Sequence, residues 1–243
     1  MEMISKERIV VKDKEYALEI HRERRNSARV SIGKRGVIIR IPRFMSWGEQ
    51  ERIISQMKEW AIKKLEKRPL MQEEIKKYSD GETLDFWGQK YLLSIIVENR
   101  DRNSVRIKDN NLRFFIMSCL SVEEQMKYIS MQISKCVSRK RLPHLKEKIK
   151  VLNAKHFNGF VKNVRFKNTS SRWGSCSSKG NINISTRLLL APEDVLDYVC
   201  IHELAHLIEP NHSERFWALV EHAMPDYKNK VSWLKENGHF CRF

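Results

Sequence analysis

His202, Glu203 and His206 stand in the pattern H-E-x-x-H, and His212 follows ten residues after the first histidine. If this segment is helical, His202 and His206 lie four residues apart on one face, where their imidazoles can converge on one ion. Neutral imidazole nitrogen binds zinc at about 2.0–2.1 Å. Glu203 is offset by one residue and need not ligate. It is placed to take a proton from water at the fourth coordination position, whose pKa zinc lowers to about 7, and to serve first as general base and then as general acid. The chemistry implied is hydrolysis by metal-activated water, with one Zn2+, Glu203 catalytic, and His202, His206 and His212 as ligands. Glu209, Glu214, Glu221 and His222 are rival third ligands, and Glu221 would complete a two-histidine, one-glutamate set. The structural alternative is two histidines on a polar helix face.

The spacing of His212 matches the H-E-x-x-H-x-x-G-x-x-H pattern of metzincins, but Glu209 occupies the glycine position. The turn before His212 is therefore assigned to Pro210, which ends the helix, and to a left-handed Asn211. Upstream, residues 168–178 are small and polar around Arg172 and Trp173. Arg172 can hold a substrate carboxylate or phosphate, or stabilise an oxyanion; a structural ion pair is its alternative, as core packing is for Trp173. Asn183 lies in Asn181–Ser185, read as a sheet edge on which an extended substrate adds a strand. Tyr227 is a further candidate oxyanion donor.

These groups need elements to hold them. Pro192 followed by Glu193 and Asp194 marks the start of the helix that carries the motif. Ser213 can cap the next helix, with Phe216, Trp217 and Val220 packed behind the site. Segments 161–167 and 181–186 read as strands. Towards the N-terminus, Tyr16, Leu18 and Ile20 alternate with charges, and Val30 and Ile32 face Val37–Pro42 across Gly33-Lys34-Arg35-Gly36, a hairpin signal. Ser46 with Glu49, and Ser121 with Glu124, form capping boxes that open two helices. Ile53, Ile54, Met57, Trp60, Ala61 and Leu65 mark the buried stripe of the first, which ends before Pro69. Val122, Met126, Ile129, Ile133 and Val137 mark that of the second, which Pro143 kinks or breaks. Residues 78–117 between them read as two hairpins, with turns at Asp80-Gly81 and Asp109–Asn111. A division near residue 118 gives an N-terminal α+β region, 1–118, and a catalytic region, 119–243.

Of 243 residues, 41% are hydrophobic, enough for a core, and 31% are charged. No apolar run approaches a membrane span, and the N-terminus lacks a signal-peptide h-region, so a cytoplasmic protein without a membrane partner is expected. The five cysteines are widely spaced with no C-x-x-C pair, the pattern of reduced, mostly buried thiols. The net charge of +16 is uneven: residues 135–180 hold thirteen Lys and Arg against Glu147 alone. That segment suits nucleic acid, a nucleotide or an acidic peptide, or is simply a solvated face.

The stretches Ser171–Cys176, Ile184–Leu190, His202–Leu207, Asn211–Ser213 and Phe216-Trp217 resemble the YgjP-like metallopeptidase family. Arg24-Arg25, Val37–Pro42, Trp60–Lys64 and Asp80–Glu82 resemble its N-terminal half, so the likeness runs from about Val11 to His239. It is more distantly similar to SprT-like proteases, which share the HExxH helix. The resemblance implies zinc on His202, His206 and His212 with Glu203 catalytic. The expected fold is α+β, with a strand-rich N-terminal part and a zincin-like C-terminal part. The expected function is metal-dependent hydrolysis of a peptide or protein. A metal-dependent nucleotide pyrophosphohydrolase, or a nucleic-acid-associated protein with a structural metal, are the alternatives.

Overall fold

The computed structural model describes residues 3–33, 36–66 and 76–243. The fold is α+β. The chain divides by its contacts into two units, residues 1–74 and 75–243.

In the first unit, strands β1 (Met3–Val11), β2 (Lys14–Glu23), β3 (Arg29–Ile32) and β4 (Gly36–Pro42) form a sheet of order β1-β2-β4-β3. Period-two alternation puts Leu18, Ile20, Val37, Ile39 and Ile41 on one buried face, and helix α1 (Trp47–Glu66) covers it with Ile54, Ala61 and Leu65. β3 and β4 pair antiparallel as expected of a hairpin, while β2 and β4 run parallel. Lys34 and Arg35 of the expected loop lie outside the described residues, as does Pro69. The Ser46 box is present: the Glu49 amide donates to the Ser46 hydroxyl at 3.4 Å and the Ser46 amide donates to the Glu49 carboxylate at 3.0 Å. Trp60 departs from the expected stripe. It is 46% exposed, with the Lys64 ammonium over its ring.

The second unit holds two cores. One lies between the sheet β5 (Thr83–Phe86), β6 (Gln89–Glu98), β8 (Asn111–Met117) and β7 (Ser104–Lys108) and the first half of helix α2 (Val122–His156). Trp87 and Gly88 turn β5 into β6 with φ of 56° and 76°, as a two-residue turn with positive φ at both positions requires. Ile129, Ile133 and Val137 of α2 are fully buried against Leu112, Phe114 and Ile116 of β8, whereas Val122, expected in the stripe, is exposed. The expected boundary near residue 118 thus falls inside a shared core.

α2 also runs unbroken through Pro143. A mid-helix proline costs about 3 kcal/mol, but beyond it Leu145 and Ile149 are buried in the second core, and each such side chain contributes about 1.5–3 kcal/mol. That core is built from β9 (Asn163–Lys167), β10 (Gly174–Cys176), β11 (Asn181–Ser185), a 3-10 turn (Thr186–Leu190), and helices α3 (Glu193–Ala205), α4 (Glu214–Ala223) and α5 (Tyr227–Asn237). β10 is a three-residue strand in what the sequence reads as loop. It reaches β11 through a tight turn ending at Gly180, whose φ is +72°. The sheet order is β10-β11-β9. β11 is therefore the central strand, paired on both sides, and not the edge expected from the sequence; β10 is an edge. All five cysteines are free, but only Cys200 and Cys241 are buried. No described helix is long and apolar enough to cross a membrane.

Candidate metal centre

α3 is apolar almost all round. Val195, Leu196, Tyr198, Val199, Cys200, Ile201, Leu204 and Ala205 are buried, the pattern of a core helix. Its first two turns are fixed by charge: the Lys148 ammonium sits 3.0 Å from Glu193 and 2.6 Å from Asp197, and Lys230 lies 2.7 Å from Asp194. A helix held this way presents His202 and Glu203 from its last turn, and His206 stands at its C-terminal boundary. The chain then reverses by short-range bonds, Leu207 amide to Leu204 carbonyl and Ile208 amide to Ala205 carbonyl. Asn211 has no positive φ; the helix ends at Ala205, five residues before Pro210, so no left-handed residue is needed. Ser213 caps α4 by accepting from the Phe216 amide at 3.3 Å.

Reversal brings His212 back over the helix. His202, His206 and His212 offer ligand nitrogens that all lie within 4.8 Å of one another. The Nε2 atoms of His202 and His212 are 3.1 Å apart, close to the ~3.3 Å between two nitrogens bound tetrahedrally to one zinc ion. His206 Nδ1 is 3.2 Å from the Glu209 carbonyl. A carbonyl only accepts, so Nδ1 donates and Nε2 keeps its lone pair for a metal, the usual outer partner of a ligating histidine. Glu209 thus contributes its backbone. Among the described residues, Glu209, Glu214, Glu221 and His222 do not join the cluster, and Glu221 pairs with Lys228 instead. The Phe216 ring lies 4.6–4.9 Å, centroid to centroid, from all three imidazoles, and Trp217 stacks on His212. This aromatic wall limits the rotation of the three imidazoles. Burial, with the neighbouring histidines, pushes His202 down to about 4, so it is neutral at pH 7 as a ligand must be.

Glu203 is 5% exposed. Burial pushes its carboxyl up to about 7, against the opposing charge of Arg172 and a hydrogen bond from the Cys176 amide. Gly174 on β10 lies against this carboxyl so closely that a Cβ there would stand 2.5 Å from Glu203 Oε1. Neither the Gly174 contact nor the Cys176 amide is signalled by residue type.

Beside Gly174 opens a cleft of about 250 Å³ lined by Lys167, Thr169, Arg172, Ser175 and Asn183, among others. Small-molecule sites run to roughly 300–1,000 Å³, so the cleft takes one side chain or one phosphate group. Arg172 is therefore beside both the cleft and Glu203. Asn183 lines the cleft too, held between Arg165 at 2.6 Å and Ser175 at 2.9 Å. Trp173 is used otherwise: its ring is covered by the Arg187 guanidinium at 3.9 Å and packs against Gly238. Arg187 also donates to the carbonyls of Ser170, Gly238 and Cys241, tying the C-terminal segment to the loop. Tyr227 is nearly buried, stacked on Trp217 and Tyr198. The basic segment 135–180 is distributed: Lys148 braces α3, Lys167 and Arg172 face the cleft, and Lys135, Arg139 and Lys146 are exposed on α2.

The chain is 39% identical over 54 residues to the UTP pyrophosphatase of Escherichia coli (strain K12), a match covering 22% of this chain and 32% of that protein. It thus spans about a third of that curated relative. Two solved structures are also similar. The metallopeptidase zymogen abylysin of Pyrococcus abyssi is 24% identical, with 38% of this chain and 93% of that chain covered and a TM-score of 0.35. The zymogen jannalysin of Methanocaldococcus jannaschii is 18% identical, with 36% and 92% covered and a TM-score of 0.31. A family model described as YgjP-like, metallopeptidase domain, matches residues 26–237. Covering most of the sequence, that match shows that the chain belongs to the YgjP-like metallopeptidase-domain family, and with it to the metallohydrolases.

Proposed function

We propose that the protein hydrolyses peptide bonds, with one Zn2+ held by His202, His206 and His212 and with Glu203 as general base. The observation that carries this reading is the convergence of three imidazoles beside a buried carboxyl. A zinc ion bound there supplies a Lewis acid and lowers the pKa of coordinated water to about 7. Glu203, with its own carboxyl near the same value, takes a proton at neutral pH and returns it to the leaving amine. The β10 edge, with Gly174 against Glu203, offers backbone groups on which an extended peptide adds antiparallel. Arg172 and the cleft hold a neighbouring acidic or polar side chain. Glu203→Gln should keep one equivalent of zinc and lose casein hydrolysis; a fully active variant overturns the mechanism.

A second reading keeps the metal and Glu203 but changes the substrate to a nucleoside triphosphate. The named activity of the Escherichia coli relative favours it, and a cleft with Lys167, Arg172 and several hydroxyls suits a phosphate. Incubation with UTP and with casein, each with and without chelator, separates the two. Pyrophosphate release without peptide cleavage selects the second.

A further inference from the structure

The first unit carries a cluster that the metal centre does not use. β2 and β4 run parallel and end in register, Glu23 beside Pro42, while β3 begins at the same end with Arg29 opposite Arg40. The Arg43 amide donates to the Glu23 carbonyl at 3.1 Å. One end of the sheet therefore gathers Arg22, Arg24, Arg25, Arg29, Arg40 and Arg43. Glu23 pairs with Arg25 and Arg40, and Glu51 with Arg22. Among the described residues, Arg24, Arg29 and Arg43 form no ion pair, and all three are exposed.

Beside them stand two aromatic side chains that solvent should not favour. Phe44 is 70% exposed and Trp47 is 68% exposed, although tryptophan is on average a highly buried residue. The Ser46 capping box fixes the backbone at Trp47, and the Arg43 amide bond to Glu23 anchors the chain just before Phe44. The Arg22 guanidinium covers Trp47 at 5.4 Å from the ring centroid, and Arg22 is itself held by Gln50 at 3.0 Å. Trp47 is therefore backed by a cation while most of its surface remains open.

We propose that this end of the first unit binds single-stranded nucleic acid, with Arg24, Arg29 and Arg43 on the phosphates and bases stacked on Trp47 and Phe44. Guanidinium groups match phosphate oxygens bidentately, and interleaved aromatic platforms are what unpaired bases need. A lipid surface fits less well. It would call for a continuous aliphatic face, and here the first turns of α1 carry Glu49 and Glu51.

The test is fluorescence anisotropy with a short labelled oligothymidylate at low salt, using the full chain. The double variant Phe44→Ala/Trp47→Ala should weaken binding at least tenfold, as loss of two stacked bases predicts. Arg24→Gln/Arg43→Gln should reduce the salt slope, log K against log salt, by about 1.4. All four side chains are exposed, so an unchanged thermal melt confirms that the variants fold. A control, Lys135→Gln/Arg139→Gln on α2, should bind within twofold of wild type. The proposal is overturned by absence of binding, by an unchanged aromatic variant, by equal affinity for a duplex of the same length, or by a larger loss in the α2 control. Uptake on phosphatidylserine vesicles that depends on Phe44 and Trp47, with oligonucleotide affinity unaffected by them, overturns it in favour of a membrane.

Discussion

Gly174→Ala tests whether the placement of Glu203 matters to turnover. The added Cβ would stand 2.5 Å from Glu203 Oε1, 2.7 Å from Cγ and 2.8 Å from Cδ. Ordinary non-bonded separations are about 3.5 Å, so the carboxyl must retreat by roughly 1 Å. Gly174 has no positive φ, so the alanine backbone itself is unstrained and the clash is the whole effect. Glu203 is buried beneath the strand, and its retreat also strains the hydrogen bond from the Cys176 amide. A misplacement of about 1 Å costs on the order of 10²-fold in rate, or ~2.7 kcal/mol of transition-state stabilisation. The assay is kcat/KM on whichever of casein or UTP the wild-type protein turns over, beside zinc content by mass spectrometry. The expected result is about a hundredfold loss with one zinc retained, because the three histidines are untouched. Activity within threefold of wild type would refute the placement of Glu203 as the base, and loss of zinc would refute the separation of base from ligands.

Other outcomes follow from the same geometry. His212→Ala should lower zinc affinity by at least 10²-fold in chelator competition while leaving the fold intact, since His212 is exposed and α4 keeps its Ser213 cap. Arg187→Met should destabilise the second unit by about 2–4 kcal/mol in urea unfolding, because three carbonyls lose a charged donor. Stability should fall in acid through α3. Burial raises the Glu193 carboxyl, but bonds from Lys148 and His144 outweigh it and hold it low, and Lys230 holds Asp194 low. Both carboxyls are depressed in the folded state, so their contribution is full above the unfolded values of about 4 and is lost as pH falls below them. Urea midpoints at pH 7 and pH 3 measure this, and Lys230→Met should shrink the difference.

Local rules made much of the site legible. The i, i+4 spacing of His202 and His206 and the serine–glutamate caps depend on one turn of helix, and sequence carries that information directly. The third member of the cluster could be ranked but not chosen, because whether His212 or Glu221 returns to the helix depends on how the chain reverses. The reversal uses bonds from Leu207 and Ile208 rather than the special conformation expected of Asn211. Strand order was out of reach for a similar reason. β11 looks the same in sequence whether it is an edge or a centre, and only its pairing with β9, begun eighteen residues earlier, decides it. The approach of Gly174 to Glu203 joins positions far apart in the chain through a missing side chain, which leaves no compositional trace. Pro143 and Trp60 failed in opposite ways: long-range packing overrode a local breaker in one, and an apolar type at a near-stripe position stayed in solvent in the other.

α2 belongs to both cores of its unit, its first half lying on β8 and its second half behind α3. A chain shortened to begin at residue 119 would keep His202, His206, His212 and Glu203, yet strip the sheet from Ile129, Ile133 and Val137. Those side chains would form a bare apolar ridge on a long helix, a surface prone to self-association. A minimal soluble fragment bearing the histidine cluster should therefore start before β5, and heat should melt that cluster and the distant β5–β8 sheet in one transition.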